Sequence, residues 1–189
     1  MKDYFLDQFQ FVKDSYMIKD YKNLIYEMDV ETILGFDADD ATIYIYKHYK
    51  EFSLTWFDYD GKYAGAIQFV PYGKLENEHD YMIESIKENY NIDLDELGIM
   101  EDIESWYPIF YFPNGDAFCI DIRDGHIVFY EHEVYDTGVN LHGLMIAKSI
   151  SDLFYKWNII HFADVYNWDE ICNEEGIDVH SSLARKYID

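Results

Sequence analysis

The residues of this 189-residue chain that could do chemistry are its 38 carboxylates and seven histidines. Three runs resemble metal motifs. Asn91-Ile92-Asp93-Leu94-Asp95 begins like a calcium loop, with oxygen ligands at alternate positions. Its sixth position is Glu96 where the turn needs glycine, and Asp102 stands where a bidentate Glu belongs. Ile92, Leu94 and Leu97 point to packing instead. Asp58-Tyr59-Asp60-Gly61 fails because Trp56 takes the first ligand position, and it reads as a hairpin tip. His132-Glu133-Val134-Tyr135-Asp136 is similar to a zinc-protease motif, but its second His is missing and it follows a strand where that motif needs a helix. We read His132 as a strand-end residue whose ring is hydrogen-bonded inside the fold. The expectation is no metal and no cofactor.

Nucleophiles are equally sparse. No G-x-S-x-G elbow, phosphate-binding glycine loop or dinucleotide fingerprint is present. Cys119 sits in an apolar run and reads as a small core residue, and Cys172 is isolated. Paired carboxylates could hydrolyse a glycoside, but no pair stands out among so many. The expected class is therefore a binding protein with no catalytic residues.

Charge narrows the partners. Asp and Glu outnumber Lys and Arg by 38 to 14, a formal charge of −24. Such a chain does not neutralise phosphates, so direct nucleic-acid binding is not expected. Nor is attraction to an anionic membrane. Disorder is excluded in turn, because 49 % of residues are apolar and 19 % aromatic, enough to fill a core. The first residues lack an apolar leader, and no apolar run is long enough to span a bilayer, so the expected location is cytoplasmic. An acidic surface interleaved with Tyr is suited to a basic protein partner, since Tyr gives rigid contact area and opposite charge speeds encounter.

The elements that must hold these residues read as follows. Residues 3–24 have apolar positions at helical spacing, and 29–40 read as a short helical turn and loop. From 41 to 70 the texture is that of strands, with 44–52 open to a helical alternative, and an Asp-Gly hairpin at 60–61. Residues 76–104 hold eleven acids and one base, Lys87, a net of −10. They read as an amphipathic helix to about residue 90 and then an acidic connector. Three short strands follow, over 106–112, 117–122 and 127–130. A helix is expected over 143–162, and one or two short helices after 164. The fold class is α+β: a mainly antiparallel sheet of about six strands with flanking N- and C-terminal helices. We expect one domain over 1–189, with the acidic insert at 76–104 and a helical C-terminal extension from 164.

Over 106–162 several short motifs occur in order: Trp106-Tyr107-Pro108-Ile109, Asn114-Gly115-Asp116, Cys119-Ile120-Asp121, Gly125-His126-Ile127-Val128-Phe129-Tyr130-Glu131-His132, and Ala147-Lys148-Ser149 opening a helix. In this the chain resembles the SUKH superfamily, which includes the yeast cell-wall assembly regulator and bacterial immunity proteins. The family's Leu-Pro-x-x-Tyr element has only an echo in Tyr46-Lys47-His48-Tyr49-Lys50-Glu51-Phe52. The resemblance implies an α+β fold without catalysis, and for bacterial members neutralisation of a cognate toxin by binding. A basic toxin, such as a nuclease, suits the charge. Alternatives are a regulatory or scaffolding module with a host protein partner, and a hydrolase using carboxylates or His132. Asn114, Gly115 and Asp116 read as turn-forming. The contact residues expected are Glu101, Asp102, Glu104 and Trp106, which join the acidic insert to a large aromatic.

Overall fold

Asp3 sets the first element. Its carboxylate accepts from the amides of Phe5 and Leu6, each at 3.1 Å, and so caps α1 (Tyr4–Ser15). The computed structural model describes residues 2–89, 99–132 and 141–188. The helix expected over 3–24 ends at Ser15, and β1 (Met17–Ile25) follows. Tyr21 and Leu24 suit a helix or a strand equally well, and pairing with β2 (Tyr49–Phe57) decides for the strand. The helical turn expected within 29–40 is instead a tight turn, with Ile33 and Phe36 exchanging both backbone hydrogen bonds at 3.0 Å.

Residues 41–48 are a helix, so the helical alternative over 44–52 holds to His48 and the strand begins at Tyr49. Asp39 accepts from the Thr42 amide at 2.8 Å and caps α2 (Asp40–His48), which buries Thr42, Ile45 and Tyr46 at helical spacing. The hairpin of β2 with β3 (Tyr63–Phe69) turns at Asp58–Gly61 as expected, with Asp58 Oδ1 accepting from the amides of Asp60 and Lys62. α3 (Leu75–Asn89) and α4 (Ile99–Ser105) come next, then the expected meander of β4 (Trp106–Tyr111), β5 (Ala117–Asp121) and β6 (Ile127–Tyr130). The helix expected over 143–162 divides into β7 (Met145–Ala147) and α5 (Ile150–Ile159). Ser149 is the divider: its hydroxyl accepts from the Asp152 amide at 3.1 Å, and Asp152 reaches back to the Lys148 amide at 3.2 Å.

The seven strands lie in chain order, each antiparallel to the next. The α+β fold with an antiparallel sheet and terminal helices is thus as expected, with one expected strand replaced by α2 and two strands, β1 and β7, added. One face of the sheet packs against α1, α2 and α5 around Phe5, Phe110, Phe118, Phe154 and Trp157. The other face is covered over β4–β6 by α3 and α4 through Met82, Ile86, Met100 and Ile103. Every residue of β5 is therefore buried, Cys119 among them.

The C-terminal segment forms α6 (Trp168–Ile171), a small hairpin of β8 (Cys172–Asn173) and β9 (Gly176–Ile177), and α7 (Arg185–Ile188). It is not helical throughout, and Trp168, Ile171, Ile177 and Ala184 belong to the main core. Gly176 has φ +83°, and a Cβ there would run into the Ile146 carbonyl, so only glycine lets this hairpin lie against β7. No helix among the described residues is long and apolar enough to cross a membrane.

Candidate functional site

α3 buries Leu75, His79, Met82 and Ile86, which turns the opposite side to solvent. That side carries Glu76, Asp80, Glu84 and Glu88, all exposed and each four residues from the next. Residues at i and i+4 are neighbours on a helix, so the four carboxylates form one column of like charge. Tyr81, 66 % exposed, stands beside it. α4 lies alongside: the His79 ring stacks on Tyr107 at 3.9 Å, and its Nε2 donates to the Ile103 carbonyl at 3.2 Å. Glu101 and Glu104 are exposed on α4.

The four expected contact residues therefore separate. Glu101 and Glu104 present carboxylates to solvent. Asp102 is engaged with Arg123, whose Nη2 donates to it at 2.8 Å. Trp106 is 2 % exposed and offers no surface; its indole Nε1 donates to Asp121 Oδ2 at 3.0 Å. Arg123 also grips Asp121 through Nε at 2.9 and 3.1 Å and through Nη2 at 2.6 Å. Burial works against ionisation of Asp121, but the Arg123 side chain and amide and the Trp106 indole outweigh it and hold the carboxyl below its usual range. Asp121 in turn raises the Arg123 guanidinium. The result is a clamp that ties α4 to β5 and engages two carboxylates, Asp102 and Asp121, with one guanidinium. Asp93, Asp95 and Glu96, with the calcium-like run at 91–95, lie outside the described residues.

A cleft of about 630 Å³ opens elsewhere, lined by Tyr63, Asn114, Asp116, Glu131, His132, Asp164, Tyr166 and Asp169 over a floor of Phe112, Phe129 and Trp168. His132 Nδ1 lies 2.7 Å from Asp116 Oδ1, which also accepts from the His132 amide at 3.0 Å. A carboxylate only accepts, so Nδ1 carries the proton. Asn114 donates to the other oxygen of Asp116 at 2.6 Å, and Gly115, at φ +99°, keeps the turn clear of the His132 ring. Asp116 thus shapes the turn and orients His132, the strand-end histidine expected. Residues 133–136 of the zinc-protease-like run lie outside the described residues.

Across the cleft the Tyr63 hydroxyl donates to Asp164 at 2.5 Å. Burial pushes the Asp164 carboxyl up and the charge of Asp116 adds to this, while the bond from Tyr63 opposes it. Among the described lining residues there is no Ser, Thr, Cys, Lys or Arg. The lining is acidic, and among the described residues its groups of nucleophilic type are the carboxylates, the His132 ring and the Tyr hydroxyls. Burial pushes the Cys119 thiol well up and Cys172 to about 12, so neither is a thiolate at neutral pH. Tyr63, Asp164 and Tyr166 were not foreseen, because they come together only through β3 and the segment after α5 and share no local pattern.

His142 gives the region a pH response. It lies between Trp106, at 4.6 Å between rings, and Tyr130, at 5.8 Å. Burial lowers its pKa from 6.5 to about 4, against a smaller upward effect of Asp102. Between those values the unfolded chain holds a proton that the folded chain does not. Stability should fall as pH drops through that window, by on the order of 2–3 kcal/mol at completion, and be unaffected by this group above it. A proton NMR titration of His142 with a midpoint near 4 is the expected result. His142→Phe should flatten that part of the stability profile. Compared with protein-family models, curated proteins and solved structures, the chain finds no match.

Proposed function

We propose that this chain is a non-catalytic protein-binding domain whose partner is a basic protein and, following the resemblance to SUKH immunity proteins, a toxin that it neutralises by masking a cationic face. The observation that carries the reading is the column Glu76, Asp80, Glu84 and Glu88 on the solvent side of α3, where Lys87 is the single base. Each like-charged i,i+4 pair costs the helix about 0.2–0.5 kcal/mol. A folded protein keeps such repulsion without benefit to itself, whereas a cationic partner turns the same charges into steering and attraction. Glu101 and Glu104 extend this acid surface, and the exposed Tyr81 adds an aromatic contact.

Two measurements follow. Substituting Asp80, Glu84 and Glu88 with Gln should raise stability by about 1 kcal/mol, read from chemical denaturation, because it relieves all three pairs while Glu76 remains near the helix N-terminus. Calorimetric titration with the product of the adjacent gene should give binding that weakens steeply as salt is raised. A hydrolytic reading is favoured only by the Asp116–His132 pair in the cleft; turnover that disappears in a folded His132→Ala protein would establish it instead.

A further inference from the structure

β1 is the edge of the sheet. It pairs with β2 along one side and, among the described residues, with no strand along the other. All nine of its residues are exposed, and the run includes Met17, Ile18, Tyr21, Leu24 and Ile25, the last 60 % accessible. An edge of this length with open backbone donors and acceptors is a template for another strand.

We propose that this edge is a homodimer interface in which β1 pairs antiparallel with β1 of a second copy, about a two-fold axis through Tyr21, joining two seven-stranded sheets into one. The occupant follows from the sequence of the strand. Opposed residues in an antiparallel pair share a face, so a two-fold axis normal to the sheet must set one residue opposite itself. Tyr21 is the midpoint of Met17–Ile25, so centring there gives the two strands their greatest overlap. It sets Asp20 opposite Lys22 twice, Lys19 opposite Asn23, Ile18 opposite Leu24 and Met17 opposite Ile25. Moving the axis by one residue sets Asp20 against Asp20 or Lys22 against Lys22, and like charges directly opposed are destabilising. The register against β2 shifts between Ile18 and Asp20 and again between Leu24 and Ile25, so the regular stretch is Asp20–Leu24, which holds the Tyr21 axis and both Asp20–Lys22 pairs. β1 also carries two Lys against one Asp, so it lets two molecules of charge −24 approach where the local charge is not negative.

The test is sedimentation of the full chain over a concentration series, with Asp20→Lys and Lys22→Asp variants measured alone and mixed. Lys22 also lies 3.6 Å from Glu51, an exposed pair whose loss should leave the fold intact, as circular dichroism would check. Wild type should show a monomer–dimer equilibrium. Each variant alone sets like charges opposite each other twice and should dimerise on the order of tenfold more weakly. The equimolar mixture restores every opposite-charge pair and should return to the wild-type strength. Repulsion governed by net charge alone would move the two variants in opposite directions, because one lowers the negative charge and the other raises it. A wild type that stays monomeric throughout, a dimer untouched by either variant, or a mixture no stronger than its parts would each overturn the proposal.

Discussion

Phe5→Ala should lower the stability of this protein by about 3–5 kcal/mol, and its Tm by roughly 10 °C, the largest loss expected from a single side chain. Phe5 is fully buried in the first turn of α1 and stacks on Phe52 of β2 at 4.2 Å. Its ring also meets Tyr49 and Phe69 at 5.1 Å, Phe154 at 5.9 Å, Phe110 at 6.3 Å and Phe162 at 6.4 Å. It therefore joins the N-terminal helix to three strands and to α5 at one point. These neighbours are large and held by one another, so they cannot collapse into the space left behind, and a cavity adds to the lost transfer energy. Its neighbour Leu6 is 56 % exposed, and Leu6→Ala should change stability by no more than about 0.5 kcal/mol. Urea denaturation of the two variants makes the comparison, and equal losses would contradict this account of the core.

Asp121→Ala should cost about 2–4 kcal/mol by a different mechanism. The Asp121 carboxylate is the common acceptor for the Trp106 indole, the Arg123 amide and the Arg123 guanidinium. Alanine leaves the indole buried without an acceptor and frees Arg123 from β5, so α4 loses its tie to the sheet through Asp102. Asp121→Asn keeps an acceptor for the indole and should cost less. Because the carboxyl is held below its usual range, its stabilisation is present above pH 3.8 and is lost as pH falls through the lower folded value. The difference between wild type and Asp121→Ala should accordingly shrink in strong acid. A difference that stayed constant with pH would show that the loss is one of packing.

The two sites make clear what the sequence carries openly. The meander of β4, β5 and β6 was legible because tight turns at Pro113–Gly115 and Arg123–Gly125 cut apolar runs of strand length. α3 was legible because Met82 and Ile86 are four apart in an otherwise acidic run. β1 was not, since all nine of its residues are exposed and no buried face gives it a period of two. Over α2 the sequence reads two ways, because Ile43 and Ile45 alternate with Thr42 and Tyr44 while the burying set of Thr42, Ile45 and Tyr46 follows the helical period; the helical alternative over 44–52 holds as far as His48. The break between β7 and α5 had a local signal in Ser149 and Asp152, overridden in the reading by the apolar residues on either side.

The binding surface was legible in charge but not in detail. That residues 76–104 concentrate the acids is plain from composition, and α3 and α4 do set Glu76, Asp80, Glu84, Glu88, Glu101 and Glu104 toward solvent. Which acids are free depends on a distant cation: Arg123, beyond the acidic stretch, engages Asp102 through the turn after β5. Trp106 looked like an exposed aromatic beside the acids, but a strand buried on both faces takes it inside. The cleft of Tyr63, Asp116 and Asp164 is a product of topology alone, assembled from three separate parts of the chain.

The proposal of a basic partner is tested most directly by titrating the adjacent gene's product into wild type and into the Asp80→Gln, Glu84→Gln, Glu88→Gln protein across a salt series. The account predicts binding to wild type that weakens steeply with salt. It predicts that the triple variant, although more stable, binds at least tenfold more weakly with a shallower salt dependence. No binding, or binding of equal strength to both proteins and indifferent to salt, would contradict it.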